Sequence, residues 1–254
     1  MKELTHPGFR YVVEALVGGS FAKEIDPELL VDDGIPAADK TAEMAQVRSR
    51  LILYEDRIKK RRPVIIGHNA FLDLAFIHET FLHPLPADSV AFRKEIHRLL
   101  PRIIDTKYLA SHLGFRVGKN LEQLYTLVGQ ALSPITPEPG FDAREGSAHN
   151  AGFDSWMTAA VFVGLARKMV LQNPGLCTPL EGRKEEGVDR DAEAPGSRDE
   201  LFRELSPFVH SSRSSTGSKS HAGELIPQWG CELWKRYGNK LRLGSAGVMD
   251  LAKV

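Results

Sequence analysis

The spacing of hydrophobic positions changes along the chain, and each change marks an element. Phe9, Val12, Val13 and Leu16 recur at helical spacing and stop at Gly18-Gly19, which predicts a short helix with a glycine end. Residues 20–40 carry no such period and read as a connector. Met44, Val47, Leu51, Tyr54 and Ile58 step by threes and fours, so residues 41–60 form an amphipathic helix ending in the basic run Lys59-Lys60-Arg61-Arg62. That run suits the negative end of a helix dipole better than it suits an RNA patch. Pro63 breaks the helix, and Val64-Ile65-Ile66 is the β-branched run of a buried parallel strand. Gly67-His68-Asn69 supplies a turn and a cap, and a helix follows from about Ala70 to His83, before Pro84.

The strand-turn-helix pattern then repeats. Phe92, Ile96, Leu99 and Leu100 mark a helix stopped by Pro101, and Arg102-Ile103-Ile104-Asp105 reads as a second buried strand entering Thr106-Lys107-Tyr108-Leu109. Asn120 can cap a helix bearing Leu121, Leu124, Leu127 and Val128, and the proline-rich stretch 133–140 is loop. A further helix carries Met157, Val161 and Leu165 on the face shared by Asp154 and Thr158. Residues 179–221 are polar and lack a core-forming pattern, which predicts a disordered linker. In the tail, Trp234-Lys-Arg-Tyr-Gly-Asn-Lys-Leu-Arg-Leu interleaves aromatics with bases; it reads equally as a surface strand with packed aromatics or as an RNA contact.

Composition narrows the class. Lys plus Arg equals Asp plus Glu at 33 each, so no global field points to nucleic acid or membrane, and 42% hydrophobic residues are enough for a sizeable core. No run of roughly 18 apolar residues exists to span a bilayer. Cys177 and Cys231 are far apart and outside any CxxC spacing, which fits a reducing compartment.

One carboxylate stands out. Asp73 lies among apolar neighbours in VIIGHNAFLDLAFI, in the first turn of a helix at the C-terminal end of a strand, the edge where open α/β sheets build sites. A carboxylate set against apolar packing needs a cation, a metal or hydrogen-bond donors. Spacing does not choose between that and a local cap. Asp154 and His149 form a second candidate pair. On a continuous helix His149 would point roughly 140° away from Asp154, so the two converge only if His149 stands on the lead-in loop. Carboxylates on several elements with a histidine base are what two-metal hydrolysis of nucleic acid requires. His78 and His83, five residues apart, cannot form a one-face metal pair, which argues against a zinc hydrolase.

The ordered motifs GHNxxLD (67–73), PLPAD (84–88), DTK (105–107) and HxAGxD (149–154) resemble the poly(A)-specific ribonuclease (PARN) type of deadenylase, over roughly residues 5–170. The resemblance implies an RNase H-like fold with a DEDDh site: four acidic residues, two magnesium (or manganese) ions and a histidine. It gives Asp73 and Asp154 as metal ligands and His149 as general base. Lys107 stands where the family has a lysine able to meet a phosphate, and an ordinary surface lysine is an equal reading. Asp105 is better read as a helix cap than as a ligand. His68 and Asn69 shape the turn and lie where RNA contacts are expected.

The resemblance also implies a D-x-E on a first strand near the N-terminus. The D-x-E near the start here is Asp26-Pro27-Glu28, and a central proline is incompatible with a central strand, so it is read as a decoy. The expectation is therefore a partial RNase H-like α/β fold, parallel core strands flanked by helices, with its N-terminal strands missing and an exposed sheet edge. Residues 1–175 form the truncated nuclease domain, 176–224 a polar linker, and 225–254 a segment packing on the domain or leading to a lost region. The expected activity is 3′→5′ shortening of poly(A) RNA in the nucleus or cytoplasm, with no membrane partner and dimerisation left open. The alternative is a catalytically inactive RNA-binding or scaffold protein.

Overall fold

The computed structural model describes residues 7–32, 34–115, 120–129, 151–177, 226–244 and 247–253. The chain divides into two compact units, Met1–Leu124 with Trp234–Val254, and Tyr125–Leu233.

The first unit opens with α1 (Pro7–Val17), which ends as its glycines require. Gly18 takes φ 79°, its N–H donates to Ala15 O at 3.1 Å, and Gly19 N–H donates to Glu14 O at 2.8 Å. These two bonds make a Schellman end. The connector holds a 3₁₀ turn, Pro27–Leu30. Asp26 caps this turn through Glu28 N–H, and Glu28 pairs with Lys40 at 3.1 Å, so Asp26-Pro27-Glu28 serves local structure. α2 (Ala37–Arg61) begins four residues before the expected start. Its basic end is bound up locally: Lys59 lies 2.6 Å from Glu55, and the Arg102 guanidinium donates to the carbonyls of Arg61 and Arg62.

Strand β1 (Ile65–Gly67) pairs in parallel with β2 (Ile103–Asp105), in the register Ile65↔Ile103 and Gly67↔Asp105. Between them run α3 (Phe71–Ile77) and α4 (Ser89–Leu99). The helix expected from about Ala70 to His83 runs to Leu82 with a wider last turn, and His83 is extended. Residues His78–Leu82 are π-helical, and His83 N–H reaches back five residues to His78 O at 3.0 Å. After β2 come α5 (Thr106–His112) and α6 (Leu121–Leu124), the latter capped by Asn120, which accepts from Gln123 N–H at 2.9 Å.

The tail departs from its expected surface strand. Glu232–Tyr237 is a helix, α8, with Trp234 buried, and the extended part is the hairpin β3 (Lys240–Leu243) and β4 (Gly247–Asp250). Leu241, Met249 and Leu251 of this segment pack in one core with Ala70, Leu74, Phe92, Ile96, Leu100 and Ile103. Hydrophobic burial thus ties the tail to the strand-helix units.

In the second unit, the π-helical turn Tyr125–Gly129 packs on the long helix α7 (Ala151–Gln172), whose Met157, Val161, Leu165 and Met169 are buried. Gly164 allows the close approach, since a Cβ there would meet the Val128 carbonyl at 2.7 Å. Tyr125, Phe153 and Trp156 form an aromatic cluster, with Tyr125 and Trp156 centroids 4.9 Å apart. Cys177 and Cys231 are free thiols. The proposed linker 179–221 and the loop 133–140 lie outside the described residues. Among the described residues no helix is long and apolar enough to cross a membrane.

Candidate active site

The C-terminal edge of the parallel pair is built around a buried acid. Asp105 ends β2 and is fully enclosed. Its Oδ1 accepts from the backbone N–H groups of Lys107 at 2.9 Å, Asn69 at 3.0 Å and Tyr108 at 3.4 Å. Its Oδ2 accepts from Arg242 N–H at 3.0 Å. A buried carboxylate is tolerable when donors replace its lost water, and here they come from three separate elements. Asp105 is therefore the cap of α5, and it also fixes the turn leading into α3.

That turn needs fixing. Asn69 sits at φ 59°, a left-handed conformation that asparagine tolerates better than most residues. Gly67 before it has no room for a side chain, because a Cβ would lie 2.6 Å from the Ala70 Cβ. His68 is held from the neighbouring crossover: Thr106 Oγ1 donates to Gly67 O at 3.1 Å and so accepts, at 2.9 Å, from His68 Nδ1. This network assigns the proton to Nδ1. Burial pushes the His68 imidazole below its usual range; the Asp105 charge opposes that and the Lys107 charge adds to it. His68 is accordingly neutral near pH 7.

Asp73 follows in the first turn of α3, where the helix dipole favours a negative charge. Its placement corrects the environment read from its neighbours. Leu74 beside it is buried, but Asp73 faces solvent and has no hydrogen-bond or salt-bridge partner among the described residues. The carboxylate is available, and desolvation does not compel it to find a partner. Lys107, in the first turn of α5, is half-buried. The structure thus gathers His68, Asn69 and Lys107 about Asp105, with Asp73 one turn further on.

Asp154 is half-buried in the first turn of α7, in the other unit. His149 lies outside the described residues. Among the described residues no group of three or more His, Cys, Asp or Glu side chains comes together to hold a metal ion. The oxygen chemistry of Asp73 suits a hard divalent cation, yet one carboxylate is not a clamp. The described residues by themselves do not fit a two-metal centre.

Sequence reasoning missed Asn239 and Arg242, whose bonds to Ile103 and Asp105 brace this edge. A local signal for Asn239 existed in the dipeptide Gly238-Asn239 between an aromatic helix end and an alternating run.

Comparison with known proteins places this geometry. The model of the CAF1 family ribonucleases matches residues 2–162, more than half of the chain. The 3′-5′ exoribonuclease parn-1 of Caenorhabditis elegans is 39% identical over 118 residues, which are 41% of this chain and 21% of that protein. The pre-piRNA 3′-exonuclease trimmer of Bombyx mori is 27% identical over 133 residues, 46% of this chain and 25% of that one. The human poly(A)-specific ribonuclease PNLDC1 is 26% identical over 141 residues, 50% of this chain and 27% of that one. The matches thus span about a fifth to a quarter of these relatives' length. Exonucleases of the family depend on divalent metal and have an RNase H-like fold. With its small parallel sheet, helical crossovers and GHNxxLD turn, the chain belongs to the CAF1 ribonuclease family.

Proposed function

We propose that this chain is part of a 3′→5′ exoribonuclease that shortens poly(A) 3′ ends, with Asp73 and Asp154 as metal carboxylates and His149 as general base. The observation that carries the reading is the contrast between two acids at one sheet edge. Asp105 takes four backbone donors, whereas Asp73, in the helix that follows the braced turn, stands exposed with no partner among the described residues. A buried acid must satisfy its lone pairs with protein donors, as Asp105 does; an exposed one holds water, which a cation can displace. Magnesium or manganese, two ions per site, is the cofactor this reading implies. Lys107 offers a cation for a phosphate oxygen, and His68 and Asn69 line the approach of the RNA. A nuclear or cytoplasmic location accompanies that substrate.

The test uses the full chain, a 5′-labelled oligo(A) RNA and added magnesium or manganese. Stepwise loss from the 3′ end is expected, reduced on the order of 100-fold or more in Asp73→Asn and in Asp154→Asn. Because Asp73 is exposed, its substitution should shift stability by no more than about 0.5 kcal/mol. A wild-type chain that is folded by circular dichroism and trims nothing would overturn the claim for this chain and favour the non-catalytic RNA-binding reading.

A further inference from the structure

The family match ends at residue 162, yet the edge bearing Asp73 is held by residues far beyond it. Asn239 makes three hydrogen bonds. Its Oδ1 accepts from Ile103 N–H at 2.9 Å, its N–H donates to Ile103 O at 2.8 Å, and its carbonyl accepts from Leu251 N–H at 2.8 Å. The side-chain oxygen acts as the carbonyl that a third strand would present to β2. The φ of 55° at Asn239 turns the chain so that this is achieved with one residue. Three residues on, Arg242 N–H donates to Asp105 Oδ2.

We propose that Asp105 is a positioning residue for the Asp73 turn, and that the C-terminal hairpin, through Asn239 and Arg242, is the part of the chain that orients it. A simple cap would bond only to its own helix. Here Oδ1 divides itself between α5 and Asn69, and Oδ2 is engaged 137 positions away in sequence. All four partners are N–H donors, so both oxygens must accept. The carboxylate rotates as one rigid plane, and holding Oδ2 therefore fixes where Oδ1 lies. The hairpin thereby sets the angle between the turn that enters α3, with Asp73, and the start of α5, with Lys107. The inference rests on Asp73 being a site residue, as proposed above.

Asp105→Asn is the obvious variant, but it sets an amide NH₂ against a donor whichever way it turns, and the chain then loses its fold as readily as its site. Asn239→Gly is the milder one. It keeps the backbone freedom and removes the side chain with its hydrogen-bonded Oδ1, while Asn239→Asp keeps an acceptor. Amide exchange is followed by NMR on the full chain. In Asn239→Gly, exchange at Asn69 and Lys107 should quicken at least about tenfold together with Ile103. Val90 and Ala91, whose amides are held by Asp88, should remain as in the wild type, and Asn239→Asp should restore all three. Quickening at Ile103 alone, or equally at Val90 and Ala91, overturns the coupling.

On oligo(A), kcat should fall with KM within about twofold, and return in Asn239→Asp. An active Asn239→Gly chain with unchanged kcat overturns the positioning role even where exchange moves. A wild type that trims nothing defeats the deadenylase reading instead, and exchange alone then decides the coupling.

Discussion

Adding one methyl group at Gly67 tests how tightly the turn before Asp73 is built. A Cβ on Gly67 would lie 2.6 Å from the Ala70 Cβ and 3.7 Å from its Cα, whereas nonbonded carbons rest at about 3.5–4.0 Å. Something must move by roughly 1 Å. Ala70 is buried in the core with Leu74 and Phe92, so it has no free space to retreat into. Overpacking of this kind costs about 1–3 kcal/mol. Against that, alanine restricts the unfolded chain and returns about 0.4–1 kcal/mol. The expected net loss is about 1–2 kcal/mol. Ala70→Gly alone should lose about 1 kcal/mol for its buried methyl. Combining the two removes the clash, so the double variant should exceed the sum of the singles by about 1–2 kcal/mol. Urea denaturation followed by circular dichroism measures all four corners of this cycle. In the trimming assay, Gly67→Ala should lose up to about 100-fold, because a displacement of that size spoils alignment, and Ala70→Gly should recover part of it. Additivity within about 0.5 kcal/mol would refute the reasoning.

Two further outcomes follow from side chains elsewhere. Glu55 accepts the Phe21 and Ala22 amides through Oε2 and the Lys59 ammonium through Oε1. Lys59 first, then the Ala22 amide, hold its carboxyl down to about 2 from 4.5. A depressed carboxylate stabilises the fold fully above its unfolded value and loses that contribution as pH falls through its folded value. The difference in Tm between wild type and Glu55→Gln should thus be full at pH 6–8 and close between pH 4.5 and about 2; a gap that widens on acidification contradicts this. Gly164→Ala sets helix propensity, worth about 1 kcal/mol, against a clash with the Val128 carbonyl at 2.7 Å. Backbone cannot swing aside, so a net loss of about 1–2 kcal/mol is expected in thermal unfolding, and a raised Tm refutes it.

Much of the scaffold was legible because it is local. Pro63 and Pro101 stop helices just before β-branched runs, and those runs are β1 and β2. Asp105 as a cap and Asp26-Pro27-Glu28 as a decoy were likewise readable from their neighbours. What escaped was held by bonds between distant residues. The connector at 20–31 has no period, yet Glu55 and Arg48 of α2 pin it through the amides of Phe21 and Ala22 and the carbonyls of Ala22 and Ile25. Polar side chains that bond to remote backbone leave no spacing to detect. The wide turn after Ile77 was invisible for another reason: a single π turn at a helix end adds one residue to the register over too few positions for the apolar period to show the shift. In the tail, Trp234 and Tyr237 stand three apart with the exposed Lys235 and Arg236 between them, the spacing of a helix, and Glu232–Tyr237 is helical with Leu233 and Trp234 buried.

The two aspartates at the sheet edge show where such reading reaches its limit. Both Asp73 and Asp105 follow β-branched runs and sit near a helix start. Asp105 is the last residue of its strand, so it points back among the amides of the first turn and is engulfed when the hairpin closes over β2. Asp73 comes three residues into its helix, past the Asn69 reversal, and its Cα–Cβ bond points away from the core that Ala70 and Leu74 fill. A displacement of a few positions relative to the strand end thus decides which acid becomes framework and which is left open to a ligand. Of the apolar residues around Asp73, Ala70 and Leu74 anchor the helix beneath the carboxylate while Leu72 and Phe76 share its exposed side, and the chemistry open to Asp73 depends on that side.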